Sequence, residues 1–128
     1  MPDTEKITIN MSAVDLGKID LLVQEGVYSN RTDFIRTATR NLLDKHSLEI
    51  QQSVTRHSYL VGALVYSKSD LERYKARDEK INATVVGFLR LTSDISPQLA
   101  QEVIESIDVR GVFHASEELK VALADRIK

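Results

Sequence analysis

The chain has 128 residues, a length that suits one or two small domains. It contains no Cys, which excludes disulfides and thiolate metal sites, and its net charge of −2 argues against coating nucleic acid by bulk attraction. No apolar leader and no apolar run of membrane-spanning length are present, so we expect neither a secretory signal nor a membrane segment.

Residues 6–11 form the first predicted element, a strand with one apolar and one polar face. Apolar and polar residues alternate strictly along it, which is the period of a half-buried strand. The polar positions are Lys6, Thr8 and Asn10. These side chains suit either the polar face of an ordinary edge strand or hydrogen bonding to base edges in a DNA major groove. A lone strand cannot cover its apolar face, so we expect it to pair with the same strand of a second copy.

Two helices are predicted after this strand. Ser12 is the expected N-cap of the first, with Asp15 three residues later, and Gly26 is expected to end it. Asn30 is the expected N-cap of the second helix, with Asp33 three residues later. One strand and two helices in about 40 residues cannot enclose a core alone, so we expect obligate dimerisation.

The order of these elements carries a family resemblance. The chain contains, in this order, an alternating strand, a helix, a glycine turn, and a polar cap followed by Arg, Thr and Asp with Ile-Arg close behind. The residues concerned are Lys6-Ile7-Thr8-Ile9-Asn10-Met11, Asp20-Leu21-Leu22-Val23 and Gly26-Val27-Tyr28-Ser29-Asn30-Arg31-Thr32-Asp33-Phe34-Ile35-Arg36. Residues 5–46, about a third of the chain, resemble the ribbon-helix-helix (CopG/Arc/MetJ-like) DNA-binding family.

The resemblance implies two sets of DNA contacts. In that family, paired strands form an antiparallel ribbon in the major groove. Base contacts would then come from Lys6, Thr8 and Asn10. A backbone phosphate would be held at the start of the second helix by Ser29, Asn30 and Arg31.

The remaining arginines of the second helix leave two interpretations open. Arg36 and Arg40, like Arg31, suit phosphate contacts or exposed positions paired with Asp33 and Asp44. Tyr28 is expected to pack over the turn between the helices. The apolar spacing predicts that helix continues over residues 47–57, and fraying into a flexible linker near residues 45–47 is the alternative.

The rest of the chain contains an internal pattern centred on three glycines. Gly62, Gly87 and Gly111 lie 25 and then 24 residues apart, each with apolar residues two positions before and after it. Each copy leads into a predicted helix, so residues 58–128 are expected to form three strand-helix units. Strands joined through helices usually lie parallel, and the glycines would allow close approach of neighbouring elements. A chance similarity between the copies is the alternative.

Capping residues mark the start of each of these helices. Ser69 and Glu72 are the expected capping pair of the first helix. Ser96 and Pro97 take the N-cap and first helical positions of the second, and Ser116 is expected to cap the third.

The histidines, nucleophiles and glycines form no catalytic or metal-binding pattern. His46, His57 and His114 lie far apart, and none has a second ligand at helix or hairpin spacing, so no metal site is predicted. The sequence has no nucleophile-elbow motif and no glycine-rich phosphate loop. We therefore expect no catalytic residues and no cofactor.

These observations predict an α+β fold with three regions. Residues 1–46 would form a ribbon-helix-helix DNA-binding domain as an intertwined dimer, residues 47–57 a helical extension, and residues 58–128 an α/β domain for oligomerisation or sensing. The expected function is a cytoplasmic, nucleoid-associated, sequence-specific transcriptional regulator whose partners are double-stranded DNA and further copies of itself. One alternative is an assembly-forming protein whose C-terminal units stack between subunits. Another is an antitoxin that represses its own operon, although an ordered C-terminal region argues against a toxin partner.

Overall fold

The computed structural model describes residues 4–128, which divide into two compact units, Lys6–Ser53 and Val54–Lys128 together with Thr4 and Glu5. Residues 1–3, part of the predicted 1–46 domain, lie outside the described residues. The elements in chain order are α1 (Ala13–Gln24), α2 (Arg31–Lys45), α3 (Ser47–His57), β1 (Leu60–Tyr66), α4 (Lys68–Ala76), β2 (Ile81–Leu91), α5 (Pro97–Val103), β3 (Ile104–His114), α6 (Glu117–Ala122) and a 3-10 turn (Ala124–Arg126). None of the helices within residues 4–128 combines the length and apolar character needed to cross a bilayer.

The predicted strand at residues 6–11 is not formed within the single chain. Residues 4–12 have no regular secondary structure. Two apolar side chains of the segment stay largely exposed, Ile7 at 79% and Ile9 at 60%. The physical reason is that a strand needs a neighbour for its hydrogen bonds and for its apolar face, and no other strand lies in the unit Lys6–Ser53.

Local hydrogen bonds determine the ends of α1, as the sequence predicts. The Ser12 hydroxyl accepts a hydrogen bond from the Asp15 amide at 3.1 Å. At the other end Gly26 adopts φ +79°, a left-handed conformation that favours glycine. Its amide donates to the Val23 carbonyl, and the Val27 amide donates to the Leu22 carbonyl, which is the Schellman arrangement.

The second and third helices are separated by a single residue, His46. The His46 amide donates to the carbonyl oxygens of Leu42 and Leu43, and its own carbonyl accepts from the Ile50 amide. Residues 47–57 are helical, as the apolar spacing predicts, but they form a separate helix because His46 interrupts the continuation of α2. Helix α3 ends at His57, and Ser58 then takes φ +55° and turns the chain toward β1.

The three strands form one parallel sheet in the order β1-β2-β3. Gly62 lies opposite Gly87, and Gly87 lies opposite Gly111, so the three glycines form a row across the sheet. The predicted repeat is confirmed, because the residues that match in sequence are also those that pair in space. A strand-helix unit repeated in this way places each strand beside the previous one.

One face of the sheet is covered by α4, α5 and α6, and the core lies between them. The fully buried large side chains are apolar, and they include Leu71, Leu89, Ile104, Ile107, Leu119 and Leu123. Leu71 and Leu119 belong to α4 and α6, and the strand residues among them recur at the positions that face the helices. The opposite face carries no helix of this group.

Two of the three predicted helix caps in this unit are confirmed, and one is wrong. Ser96 accepts from the Leu99 amide with Pro97 at the first helical position, and Ser116 accepts from the Leu119 amide. The cap of α4 is not Ser69 with Glu72, because the helix begins two residues earlier. There Ser67 accepts from the Asp70 amide, and the Asp70 carboxylate accepts from the Ser67 amide at 2.8 Å.

Candidate nucleic-acid interface

The three residues predicted to contact bases lie on the segment before α1. The side chains of Lys6, Thr8 and Asn10 are all exposed. Without a strand in this segment, the single chain does not align them on one polar face. Their role as base contacts stays a prediction, and it depends on the segment becoming a strand.

The predicted phosphate site lies at the start of α2, where two side-chain hydrogen bonds organise the backbone. The Asn30 side-chain oxygen accepts from the Asp33 amide at 2.8 Å, and the Asp33 carboxylate accepts from the Ser29 amide at 3.0 Å. The amides of Arg31 and Thr32 occupy the first two helical positions, which lack an acceptor within the helix. Such amides are the groups with which helix N-termini bind anions.

Arg31 is held by a carboxylate of the preceding helix. Its Nε and Nη2 atoms donate to the Asp20 Oδ1 and Oδ2 atoms, both at 2.8 Å. This bidentate hydrogen bond lowers the pKa of Asp20 below its usual range and raises the pKa of Arg31. The pair connects α1 to the start of α2, and the guanidinium retains N–H groups that Asp20 does not use.

Asp20 was not among the partners expected for Arg31. Asp33 and Asp44 were expected because they lie on the same helix as Arg31, whereas Asp20 lies 11 residues earlier, across the turn. The signal available in the sequence was the acidic residue in α1 shortly before the glycine that ends the helix. The expectation for Tyr28 is confirmed, since its ring packs edge-to-face on Phe34 with centroids 5.1 Å apart.

The unit Lys6–Ser53 leaves most of its large apolar side chains exposed. Ile19 is its one buried apolar residue among those described. The large apolar side chains exposed in this unit are Ile7, Ile9, Val14, Leu21, Val27, Leu42, Leu43, Leu48 and Ile50. A surface of this kind is unusual for a stable monomeric unit and typical of one that is completed by a partner.

The sheet unit has a cavity on the face that α4–α6 leave uncovered. It has a volume of about 300 Å³ and is lined by Thr4, Gly62, Ala63, Gly87, Phe88 and Val112. Among these described residues, Thr4 supplies the one polar side chain. The cavity therefore offers apolar contacts but few of the convergent polar groups that orient a small ligand.

The histidines do not come together in the part of the chain that the structure describes. His46 contacts Glu49 at 2.5 Å, and His114 lies 3.5 Å from Glu5. Within residues 4–128, no group of three or more His, Asp or Glu side chains is arranged to hold a metal ion.

Comparison with known proteins links these features to a family. No curated protein and no solved structure matches the chain significantly. A family model does match, over residues 2–120, and so covers both the helix pair with its exposed apolar side chains and the repeated sheet. The chain belongs to the ribbon-helix-helix transcriptional regulator family.

Proposed function

We propose that this protein is a homodimeric, sequence-specific DNA-binding regulator that acts in the cytoplasm at the nucleoid. The observation that carries the proposal is the segment of residues 6–11, which alternates strictly yet has no strand partner in the described part of its own chain. Pairing with the same segment of a second copy would supply the missing hydrogen bonds. It would also cover Ile7 and Ile9, which are exposed in the single chain.

Base recognition would come from the polar face of the paired segments. An antiparallel ribbon fits the major groove, where base edges present distinct donor and acceptor patterns. Lys6 donates, whereas Thr8 and Asn10 both donate and accept, so together they match several base edges. Because the two strands are related by a twofold axis, the recognised DNA would be an inverted repeat.

Phosphate binding would position the ribbon on the duplex. The free amides at the start of α2, beside Ser29, Asn30 and Arg31, form the anion site, and the cap fixes their direction. Arg31 would add charge through the N–H groups that Asp20 leaves free. These contacts carry no sequence information and would contribute mainly affinity that falls with added salt.

A second candidate function is assembly through the C-terminal units. The observation that favours it is the sheet of strand-helix repeats, whose first strand has an edge that no other described strand pairs with. Stacking of such edges between subunits would make DNA binding secondary or a means of anchoring the assembly. The antitoxin alternative is less well supported, because residues 54–128 form a compact unit and not a disordered toxin-binding tail.

Selection of bound DNA from a random pool tests the leading proposal. Purified full-length protein is compared with the variant Lys6→Ala, Thr8→Ala, Asn10→Ala. We expect the parent chain to enrich an inverted repeat and the variant to lose that enrichment, because each base contact contributes on the order of 1–3 kcal/mol of discrimination. Retention of general, salt-sensitive DNA binding by the variant would assign its defect to base recognition.

The control is Lys68→Ala, Ser69→Ala, which removes one positive charge and one exposed hydroxyl from α4, outside the predicted DNA contacts. It should select the same repeat as the parent chain. No enrichment by a folded, oligomeric parent chain would overturn sequence-specific binding. Measurement of particle mass against concentration then separates a closed oligomer from open growth, and open growth would favour the assembly function.

A further inference from the structure

The glycine row shows how closely the strands of the sheet approach each other. A Cβ atom built on Gly87 would lie 2.2 Å from the Gly62 carbonyl oxygen, and one built on Gly111 would lie 2.1 Å from the Gly87 carbonyl oxygen. Both glycines have φ values near +130°, where other residues are strained. In each pair, the later strand thus leaves room at its glycine for the backbone of the earlier strand.

Gly62 has the same conformation, but the space beside it is open. Its φ is +140°, yet none of the described atoms lies within 4 Å of the position its Cβ would take. The open position leaves room beside Gly62 for the backbone of a further strand. Gly87 and Gly111 meet parallel strands, so the direction of the added strand follows from symmetry and not from this contact. The edge of β1 therefore has the geometry of a paired strand without its partner.

The composition of β1 also favours pairing. Its seven residues include no charged residue and no proline, the features with which proteins usually block a strand edge. Val61 is 63% exposed and Val65 is 44% exposed. A free, uncharged edge with apolar side chains of this kind is a surface for adding another strand.

The opposite edge of the sheet differs, because the end of the chain covers part of β3. Ile127 forms a parallel bridge with Ile107, and the Lys128 amide donates to the Ile107 carbonyl at 2.8 Å. Arg126 also donates to the Ile104 carbonyl at 2.9 Å. Among the described residues, only the β1 edge has no hydrogen-bonded neighbour along its whole length.

We propose that β1 pairs antiparallel with β1 of a second copy of this chain, so that two sheets join into one. This step rests on the proposed homodimer, which tethers two sheet units together and raises their effective concentration. A dimer with a twofold axis requires the same patch on both copies, and β1 against β1 satisfies that requirement. Because β1 carries no charge, the antiparallel contact brings no like charges together.

Disulfide trapping tests the pairing directly, since the natural chain has no Cys. Ala63 lies at the centre of β1, so antiparallel strands related by a twofold axis near that residue would bring the two Ala63 side chains together. Directly opposed Cβ atoms lie about 4.5–5.5 Å apart, close enough for a disulfide after a small adjustment. We expect full-length Ala63→Cys to form a covalent dimer under mild oxidation.

A mixture of Val61→Cys and Val65→Cys chains checks the register, because the same axis places these residues opposite each other. The matched control is Val121→Cys on α6, which is 74% exposed and lies away from the edge. We expect the covalent dimer to form at least roughly tenfold faster with the β1 cysteines than with the control, because pairing holds the two sulfurs at a high effective concentration. Equal rates in folded protein, for Ala63→Cys and for the mixture, would overturn the proposal.

Head-to-tail pairing of β1 on β3 is distinguished by a double variant. In that arrangement Ala63 of one copy would lie opposite Val112 of the next, as Ala63 and Val112 both lie opposite Phe88 in the present register. A ladder of covalent multimers from Ala63→Cys, Val112→Cys, without a dimer from Ala63→Cys alone, would also overturn the proposal. None of these outcomes depends on DNA, so failure here leaves the selection experiment unaffected.

Hydrogen exchange provides a measurement without cysteines. Lysine at Val61 and Val65 should disfavour pairing while leaving the fold intact, because both side chains are already exposed. We expect faster amide exchange in β1 for Val61→Lys, Val65→Lys than for the control Val121→Lys. Unchanged exchange in β1 would contradict the proposed pairing.

Discussion

Replacement of Gly87 by alanine is the most direct perturbation of the sheet. The new methyl group would lie 2.2 Å from the Gly62 carbonyl oxygen, whereas ordinary contacts begin near 3.4 Å. The strands β1 and β2 would have to separate by about 1.2 Å, from 2.2 to 3.4 Å. A movement of this size breaks neighbouring ladder hydrogen bonds, since N–H···O bonds weaken steeply beyond about 3.2 Å.

The expected cost follows from two contributions. Alanine at φ +135° costs on the order of 1–3 kcal/mol in backbone strain. Loss of roughly two ladder hydrogen bonds adds about 1 kcal/mol for each. The free energy of unfolding should therefore fall by about 3–5 kcal/mol, a large part of the roughly 5–15 kcal/mol typical of a small domain.

Urea denaturation followed by far-ultraviolet circular dichroism measures the effect. With a slope of about 1–3 kcal/mol per molar urea, the midpoint of Gly87→Ala should fall by at least about 1 M. Gly111→Ala should lower the urea midpoint by a similar amount, because its Cβ would lie 2.1 Å from the Gly87 carbonyl oxygen. Gly17→Ala is the control, since Gly17 lies in α1 with no described atom within 4 Å, and it should stabilise by up to about 1 kcal/mol. If the free energy of unfolding falls by less than about 1 kcal/mol for both Gly87→Ala and Gly111→Ala, the close approach of the strands is refuted.

Three further predictions concern charge and capping. The Ser67 amide holds the pKa of Asp70 below its usual value, so this carboxylate stabilises the fold above the unfolded pKa near 3.8 and loses that effect as pH falls. Asp70→Asn should therefore flatten the fall in melting temperature between about pH 5 and pH 2. An unchanged pH dependence of the melting temperature would contradict this. Ser116→Ala removes the cap of α6 and should cost about 1 kcal/mol in urea unfolding, whereas Ser93→Ala, in an exposed turn, should cost little. Arg31→Ala should weaken binding to all DNA sequences alike and reduce the slope of log K against log salt by about 1 for each phosphate that is no longer neutralised; a change in sequence preference instead would assign Arg31 to base recognition.

Local patterns in the sequence were sufficient to predict most helix starts. Ser12, Asn30, Ser96 and Ser116 cap their helices as expected, because each hydrogen bond joins residues only three positions apart. The repeat centred on the glycines also predicted the three parallel strand-helix units. Its spacing matches the pairing register, since each unit places equivalent residues side by side.

Capping at α4 shows where local reasoning fails. Ser67 and Ser69 are both suitable caps two residues apart, and each has an acidic residue three positions later. The structure uses Ser67 because β1 ends at Tyr66, so the helix must begin at once if Leu71 is to reach the core. Packing of the helix on the sheet, and not capping preference, decided between them.

The sequence by itself determined the order of the helices and of β1–β3, the repeat and the apolar pattern at residues 6–11, because these depend on residue type and spacing. Only the tertiary structure decided that Arg31 binds Asp20, that the glycines form a row, and that the β1 edge is open. The first two features join residues of different helices or strands, and the third depends on which strands pair, so all three follow from how the helices and strands pack. The segment at residues 6–11 has the sequence of a strand but forms none alone, because its hydrogen bonds and its apolar face require a partner.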